Sequence, residues 1–458
     1  MIENDAFKLL LINLFHLNPD DITNIVCTTF NKMMVLLVTL ADKHQACPYC
    51  GFTAPKIKEY VTKEITHSAL TTQKCIIKYR ARRYKCPCCG KTYYEFNPFV
   101  FKSQKISILT VHNILKDLKD FNETFTSVAR RYHVSPTSVS TIFDNHVDIG
   151  RNPLPEIINF DEVYAFKSEK SKYVCVLLDF KKQIPVDVLP NRKKEYLLNY
   201  FQKIPLEERK KVKYACSDMY EVYRDVVHKV FPEAKHLLDY FHLSQDFHKK
   251  MNEVRIKVMK GYKDDKASDE YYLLKKFNWL LFKNPEDEDK YGRLFDVERE
   301  RKYNSHFKSY MNYYDLRKKL LEINNDLTIC YSLKLELVDF YSKSTIDNAQ
   351  VNLEHLIRSC IDTNIEEMIK FSNNLINWKQ EIINSFTIVG TEYKVEADKG
   401  QVVVCNKKVN NAIIENRNKI IKCIKNNANG YTNWLRFRNR VMYVLDPNAT
   451  FSLEPREK

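Results

Sequence analysis

The sequence predicts an α/β protein: a mixed β-sheet interrupted by a large helical insertion, preceded by a β-rich metal module and a helical hairpin. Three observations carry this expectation. Between Ile157 and Met259, strand-length apolar runs and helical periods follow in the order strand, strand, strand, helix, strand, helix, strand, helix. From Lys263 to about Ser385 the pattern is helical, before a hairpin and a last amphipathic helix. In front of the sheet stand two cysteine pairs and two short helical segments joined by a tight turn.

The 458 residues leave room for about three domains. The composition shifts divide the chain at 1–100, 101–150, 151–262, 263–405 and 406–458, the last segment returning to the sheet. The longest apolar runs, Leu9 to Ile12 and Met33 to Leu40, fall far short of the roughly 20 residues needed to cross a bilayer. The opening Met1-Ile2-Glu3-Asn4-Asp5 is acidic, unlike the positive start of a secretory leader. A cytoplasmic protein with no membrane partner is expected. Lys and Arg number 73 against 58 Asp and Glu, a net charge of +15 that suits a polyanion partner, though a chain merely rich in lysine carries the same charge. Among eight glycines no G-x-G occurs, so no nucleotide cofactor is expected.

In residues 1–100, a short apolar helix (Ala6 to Phe15) and a hairpin (Thr23 to Thr29 with Met33 to Thr39) lead into Cys47-Pro48-Tyr49-Cys50-Gly51. Its partner is Cys86-Pro87-Cys88-Cys89-Gly90. Each C-P-x-C-G turn is a knuckle that aims two thiolates at one ion, so Cys47, Cys50, Cys86 and Cys89 are expected to hold one structural Zn²⁺. Four sulfurs close the coordination sphere and leave no position for chemistry. His44, His67, Cys75 and Cys88 are further ligand types nearby, read as packing or surface residues. The 35 residues between Cys50 and Cys86 imply a β excursion ending in Cys75 to Tyr84. Alternation there puts Lys78, Arg80 and Arg82 on one face and Ile77, Tyr79 and Ala81 on the other. A row of cations suits DNA phosphates, and a solvated strand face explains it equally well.

Residues 101–150 begin with a helical period from Ile106 to Leu118. Thr124 to Ser135 and Pro136 to Phe143 then have the features of a helix-turn-helix. Ala129 is small where helices cross, Val134 fills the turn, Ser135 caps and Pro136 opens the second helix. That second helix would offer Thr137, Ser138, Ser140 and Thr141 to a major groove. A plain helical connector is the alternative.

The strand and helix order of residues 151–262 is that of the ribonuclease H-like fold. Its first strand, Ile157 to Phe166, carries Asp161 inside an apolar run, and its fourth, Val212 to Asp218, ends in an acid. In that fold the two strand ends lie side by side. Two close carboxylates do not both stay ionised without a cation between them, and Mg²⁺ is the hard ion that takes carboxylate oxygen. Glu162 faces the other way along the strand.

Beyond the helical insertion and a hairpin (Tyr393 to Ala397 with Val402 to Cys405), Ala412 to Lys425 reads as an amphipathic helix. Ile413, Ile414, Ile420, Ile421 and Ile424 form one side; Glu415, Asn418, Lys419 and Lys422 share the other. Glu415 and Lys419 are either a surface ion pair or a third acid for the aspartates with lysines for the DNA backbone. Gly430 to Arg440 is basic and aromatic, so Arg436 and Arg438 suit phosphate contact, while core packing explains the aromatic residues nearly as well.

Two C-P-x-C knuckles, the helix-turn-helix, F-D-E at Phe160 to Glu162, S-D-M-Y at Ser217 to Tyr220, D-Y-F-H at Asp239 to His242 and E-N-R-N-K-I-I-K from Glu415 together resemble the ISL-three family of bacterial insertion-sequence transposases. The resemblance implies an Asp-Asp-Glu triad on Asp161, Asp218 and Glu415, with Asp239 and His242 in support of a D-x-x-H type. It implies two Mg²⁺ ions (Mn²⁺ as a substitute) and double-stranded DNA, both terminal inverted repeats and target, as substrate. It further implies cleavage and strand transfer by a homo-oligomer in the bacterial nucleoid. Where the family favours glycines around the glutamate, this chain has Val409 to Asn416 without any. A DNA-binding regulator that no longer cuts and a structure-selective nuclease are the other readings.

Overall fold

A computed structural model describes residues 2–43, 46–70, 72–101, 104–166, 171–395 and 402–456; His44 lies outside them. Helix α1 (Ile2–Leu14) packs on a sheet of β1 (Ile22–Phe30), β2 (Met33–Leu40), β3 (Lys56–Thr66), β4 (Cys75–Lys85) and β5 (Thr92–Tyr94). The order is β1-β2-β4-β3, with β5 on β4. The two strands β3 and β4 are the excursion between the cysteine pairs. Alternation along β4 buries Ile77, Tyr79 and Ala81 with Leu36 and Val38 of β2.

Three helices follow, α2 (Ile108–Asp117), α3 (Phe125–Arg131) and α4 (Pro136–His146). Ser107, Thr124 and Ser135 cap them through their hydroxyls, and Pro136 opens α4 where no amide donor is needed. Val111, Leu115, Val128, Ala129, Val139 and Phe143 close the unit's core.

The second sheet contains β6 (Ile157–Val163), β7 (Val174–Asp179), β8 (Pro185–Leu189), β9 (Tyr214–Ser217) and β10 (Lys235–Leu238); between β8 and β9 lie helices α5 (Lys194–Gln202) and α6 (Leu206–Arg209). Helix α7 (Glu221–Val230) joins β9 to β10, and α8 (Tyr240–Lys260) leaves β10. The strand order is β10-β9-β6-β7-β8. The β6-β7-β8 meander is antiparallel, while β9 runs parallel to β6 and β10 parallel to β9.

The insertion is built on α8 with α9 (Asp269–Lys276), α10 (Tyr313–Glu322), α11 (Asn325–Lys343), α12 (Ala349–Asp362), α13 (Glu366–Asn377) and α14 (Lys379–Asn384). Phe247, Met251 and Val254 of α8 enter its core with Leu327, Leu353 and Phe371. Between α9 and α10 the expected helix is replaced by two small hairpins: β11 (Glu288–Asp289) with β12 (Gly292–Arg293), and β13 (Lys302–Asn304) with β14 (Ser309–Met311). Turn chemistry overrides composition here. Asp289, Asp296 and Asn304 accept from amides two residues on, and Gly292 takes φ 99°.

A hairpin of β15 (Ile388–Val395) and β16 (Val402–Lys408) leads to α15 (Ala412–Asn427) and α16 (Trp434–Leu445). Ala397 of the expected first strand lies outside the described residues. Helices α5 and α7 cover one face of the second sheet through Phe160, Phe201, Tyr223 and Phe231. Helices α15 and α16 cover the other, through Val163, Val176, Ile414, Ile421, Phe437 and Val441. Among the described residues, no helix is long and apolar enough to cross a membrane.

Candidate active site and metal centre

Strand β6 sends alternate side chains to the two faces. Ile158 and Phe160 join the core under α5 and α7, whereas Val163 packs under α15 and α16. Asn159 and Asp161 share the face of Val163 and meet α15 through hydrogen bonds. The Asn159 amide donates to Asn411 Oδ1 at 2.7 Å and to the Asn410 carbonyl at 2.8 Å. The Asn418 amide donates to Asp161 Oδ2 at 2.8 Å. Asn411 stands at the N-cap of α15 but does not cap it; its amide donates to the Phe160 carbonyl at 3.4 Å. These polar clamps hold the first two turns of α15, and so Glu415, against the strand that bears Asp161.

The parallel strands bring the other acids to the same edge. Asn159 pairs with Cys216, and Leu238 with Ser217, so Asp218 and Asp239 both follow their strands at the carboxyl end of the sheet. Asp239 is the N-cap of α8, and its Oδ1 accepts from the Asn411 amide nitrogen at 3.3 Å. Ligand atoms of Asp239, His242 and Glu415 all lie within 4.8 Å of one another.

Burial pushes the Asp161 carboxyl up to about 7; the charge of Asp218 adds to the rise and the Glu162 amide opposes it. Asp218 is raised by burial and by Asp239, against His242 and Arg192. Asp239 is raised by burial and by Glu415, against His242 and two backbone amides. The four acids thus form one electrostatic group. Glu162 lies on the opposite face, as its position predicts, in an ion pair with Arg192 and a hydrogen bond from Tyr223 Oη at 3.1 Å.

Asp187 on β8 shows how this protein buries a structural acid. Arg438 Nη2 reaches it at 2.6 Å, and Tyr200 Oη donates to its other oxygen at 2.7 Å. Asp161 has no such cation among the described residues; its partners are two neutral N–H groups. Asp218 Oδ1, Asp239 Oδ2, His242 Nε2 and Asn418 Oδ1 are buried with no hydrogen-bond partner. Buried acceptors without donors are costly, and hard divalent cations at this edge of the sheet would answer them. Among the described residues of this edge, the ligand atoms close enough to share one ion are those of Asp239, His242 and Glu415; Asp161 and Asp218 stand outside that group. The donor set therefore fits Mg²⁺ or Mn²⁺.

The profile of a family described as Transposase, of the Asp-Asp-Glu, ISL-three type, matches residues 158–397, from β6 through the insertion. The chain belongs to the ISL-three family of transposases. A relative in Bordetella parapertussis, the transposase for insertion sequence element IS1001, is 19% identical over 410 residues, which span 89% of this chain and 90% of the relative. A transposase of this family is a DNA-acting enzyme, and the family uses divalent metal.

The transposase also carries the expected cysteine cluster. The four sulfurs of Cys47, Cys50, Cys86 and Cys89 lie within 4.8 Å of one another, with Cys47–Cys89 at 3.7 Å and Cys50–Cys86 at 3.5 Å. Tetrahedral zinc with bonds of about 2.3 Å needs sulfur separations of about 3.8 Å, so the cluster is consistent with one Zn²⁺. The two knuckles have the same backbone. Gly51 and Gly90 donate to the carbonyls of Cys47 and Cys86 at 2.8 and 2.9 Å, with φ of 76° and 72° that favour glycine. His67 is instead a core residue, bonded to Ser107 Oγ and the Phe15 carbonyl; Cys75 is buried and Cys88 exposed.

The residues expected to meet DNA are placed unevenly. Thr137 and Thr141 are exposed on α4, and Lys419 and Lys422 on α15. Lys419 Nζ lies 3.4 Å from Asn416 Oδ1. Arg80 is exposed beside the Tyr60 ring, and Lys78 pairs with Glu64 at 2.6 Å. Ser138 contributes to the cap of its own helix. Ser140 is buried and donates to the Thr137 carbonyl at 3.0 Å, which corrects the expectation of a groove-facing hydroxyl. Arg82 is largely enclosed by Glu95 at 2.7 Å and by the Leu40 carbonyl at 3.2 Å.

The basic run near the C-terminus is corrected further. It is helix α16, and its cations bind protein. Arg438 holds Asp187, Arg436 pairs with Asp144 of α4 at 2.6 Å, and buried Arg440 donates to the Asp120 and Glu123 carbonyls at 2.8 Å. These contacts rivet the three-helix unit to the sheet. Asn159 and Asn411 escaped the sequence reading, and Asn418, expected on the polar side with Glu415, Lys419 and Lys422, is instead buried with Ile414 and Ile421 against Asp161.

Proposed function

We propose that Asp161, Asp218 and Glu415 are the catalytic triad of this transposase, supported by Asp239 and His242, and that they hold two Mg²⁺ ions. The observation that carries this is the electrostatic group of Asp161, Asp218, Asp239 and Glu415 at one edge of the sheet, in which Asp161 and Asp239 are buried without an arginine partner of the kind Asp187 has. When bound, such ions activate water for attack on a phosphodiester and stabilise the leaving 3′ oxygen. The chain's own residues position that chemistry. Asn418 orients the Asp161 carboxylate, and Asn159 with Asn411 fixes the start of α15 and thereby Glu415. His242, whose Nε2 is buried 3.9 Å from Asp239 Oδ2 and close to Glu415, is placed as a further ligand at the edge of the metal site. Arg192, ion-paired with Glu162, stands near enough to Asp218 to oppose the rise of its carboxyl.

On this reading the second sheet is a ribonuclease H-like domain formed by residues 151–262 and 406–458, with 263–405 inserted before its glutamate. The cysteine module (1–100) and the helix-turn-helix (101–150) bind the terminal inverted repeats, with Thr137 and Thr141 facing the groove and Arg80, Lys419 and Lys422 on phosphates. Two ends must be cut and joined together, so the active form is a homo-oligomer on DNA in the bacterial cytoplasm. The test is purified protein with Mg²⁺ and duplexes carrying the ends of its own element. A transposase cleaves and joins the ends to target DNA. A regulator would shift the DNA without cutting, and a nuclease would cut without joining; either result refutes the proposal.

A further inference from the structure

A second cluster of metal-ligating side chains lies outside the acidic group. His228 sits in the last turn of α7, His236 on β10, and Glu381 on α14, the last helix of the insertion. His228 Nε2 and His236 Nδ1 each lie 4.0 Å from Glu381 Oε1, and the three ligand atoms fall within 4.8 Å of one another.

His236 Nε2 lies 2.9 Å from Ser217 Oγ, which also lies 2.9 Å from the Asp218 carbonyl. With the Ser217 hydrogen on that carbonyl, Nε2 carries the ring proton and Nδ1 presents a lone pair. That nitrogen belongs to a fully buried ring and has no hydrogen-bond partner. It faces a carboxylate whose side chain is 6% exposed. Two acceptors facing each other in the interior repel unless a cation or a proton stands between them. The nearby guanidinium of Arg224 is engaged elsewhere, over the Trp378 ring and on the Asn377 carbonyl at 2.8 Å.

We propose that His228, His236 and Glu381 bind a Zn²⁺ ion at the seam between the sheet and the insertion. Two imidazoles and a carboxylate suit zinc, and the Ser217 bond to Nε2 is the outer contact that presents the opposite nitrogen to a metal. Bonds of about 2 Å would draw the ligand atoms from 4.0 Å to roughly 3.3 Å, a small closure of α14 onto α7. His228 is exposed, so the fourth position opens to water. The site would tie the end of the insertion to the strand neighbouring Asp218, where Asn384 already donates to the His236 carbonyl at 2.9 Å.

The test counts zinc in the full-length protein after zinc loading and gel filtration. His228→Ala, an exposed change, and Glu381→Gln should each carry one equivalent less than the unaltered chain. In the cobalt-substituted protein they should lose the ligand-field bands of a nitrogen and oxygen site, while the thiolate charge-transfer bands of the cysteine cluster remain. Zinc should also raise the melting temperature of the unaltered chain more than that of His228→Ala. Equal zinc content in the unaltered chain and the folded His228→Ala protein would overturn the proposal.

Discussion

Replacing Asp161 by Asn should make the metal-free protein more stable while abolishing DNA cleavage. In the folded chain the Asp161 carboxyl titrates at about 7, against 3.8 for the free group, because it is buried beside Asp218. A rise of about three pH units, at about 1.4 kcal/mol each, amounts to about 4 kcal/mol. The sign follows from linkage. Below about pH 4 both folded and unfolded chains hold the proton and nothing is lost. Between about pH 4 and 7 the unfolded chain releases it first, so stability falls, and above about 7 the whole penalty applies. An amide at this position keeps an acceptor for Asn418 and removes the charge. The assay is thermal unfolding with a chelator present, at pH 8 and pH 5. Asp161→Asn should melt roughly 8 °C above the unaltered chain at pH 8, with the gain falling by more than half at pH 5. Adding Mg²⁺ should raise the melting temperature of the unaltered chain and leave the variant nearly unmoved. A variant no more stable than the parent at pH 8, or a gain equal at both pH values, would refute the argument that these acids are held under electrostatic stress.

Glu415→Gln should bind its DNA normally and lower cleavage by at least 10²–10³-fold, the order expected for removing one charged group from a preorganised centre, as measured by single-turnover cleavage. Cys50→Ser should release zinc and expose residues around 46–95 to proteolysis, since a structural zinc contributes on the order of 10 kcal/mol to its module; zinc content and limited digestion report this. Arg438→Ala leaves Asp187 buried without its cation, and should cost about 3–5 kcal/mol of stability while the salt dependence of DNA binding stays unchanged. Lys419→Ala with Lys422→Ala should do the reverse, lowering the slope of log affinity against log salt by about 2 with little effect on melting.

The strands and helices of the second sheet, the cysteine knuckles and the cap of α4 were legible in the sequence because each rests on local signals. Period, turn residues and cap chemistry act over a few positions, so a single chain displays them. The hairpins between α9 and α10 were missed because their turns lie in a stretch whose composition reads as helix.

Which side chains meet across the fold was a matter for tertiary structure. Asn418 and Asp161 are 257 positions apart, and no local pattern says that one turn of α15 must satisfy an acid on β6. The arginines of α16 make the same point. Their charge and spacing match a phosphate-binding face, yet Arg438 and Arg440 turn inward to a buried acid and to open carbonyls. Sequence by itself determined the order of elements in the second sheet, the four cysteines that cluster and the acids available for chemistry. Only packing decided which cations neutralise which acids, because desolvation depends on what covers a group, and that covering comes from distant parts of the chain.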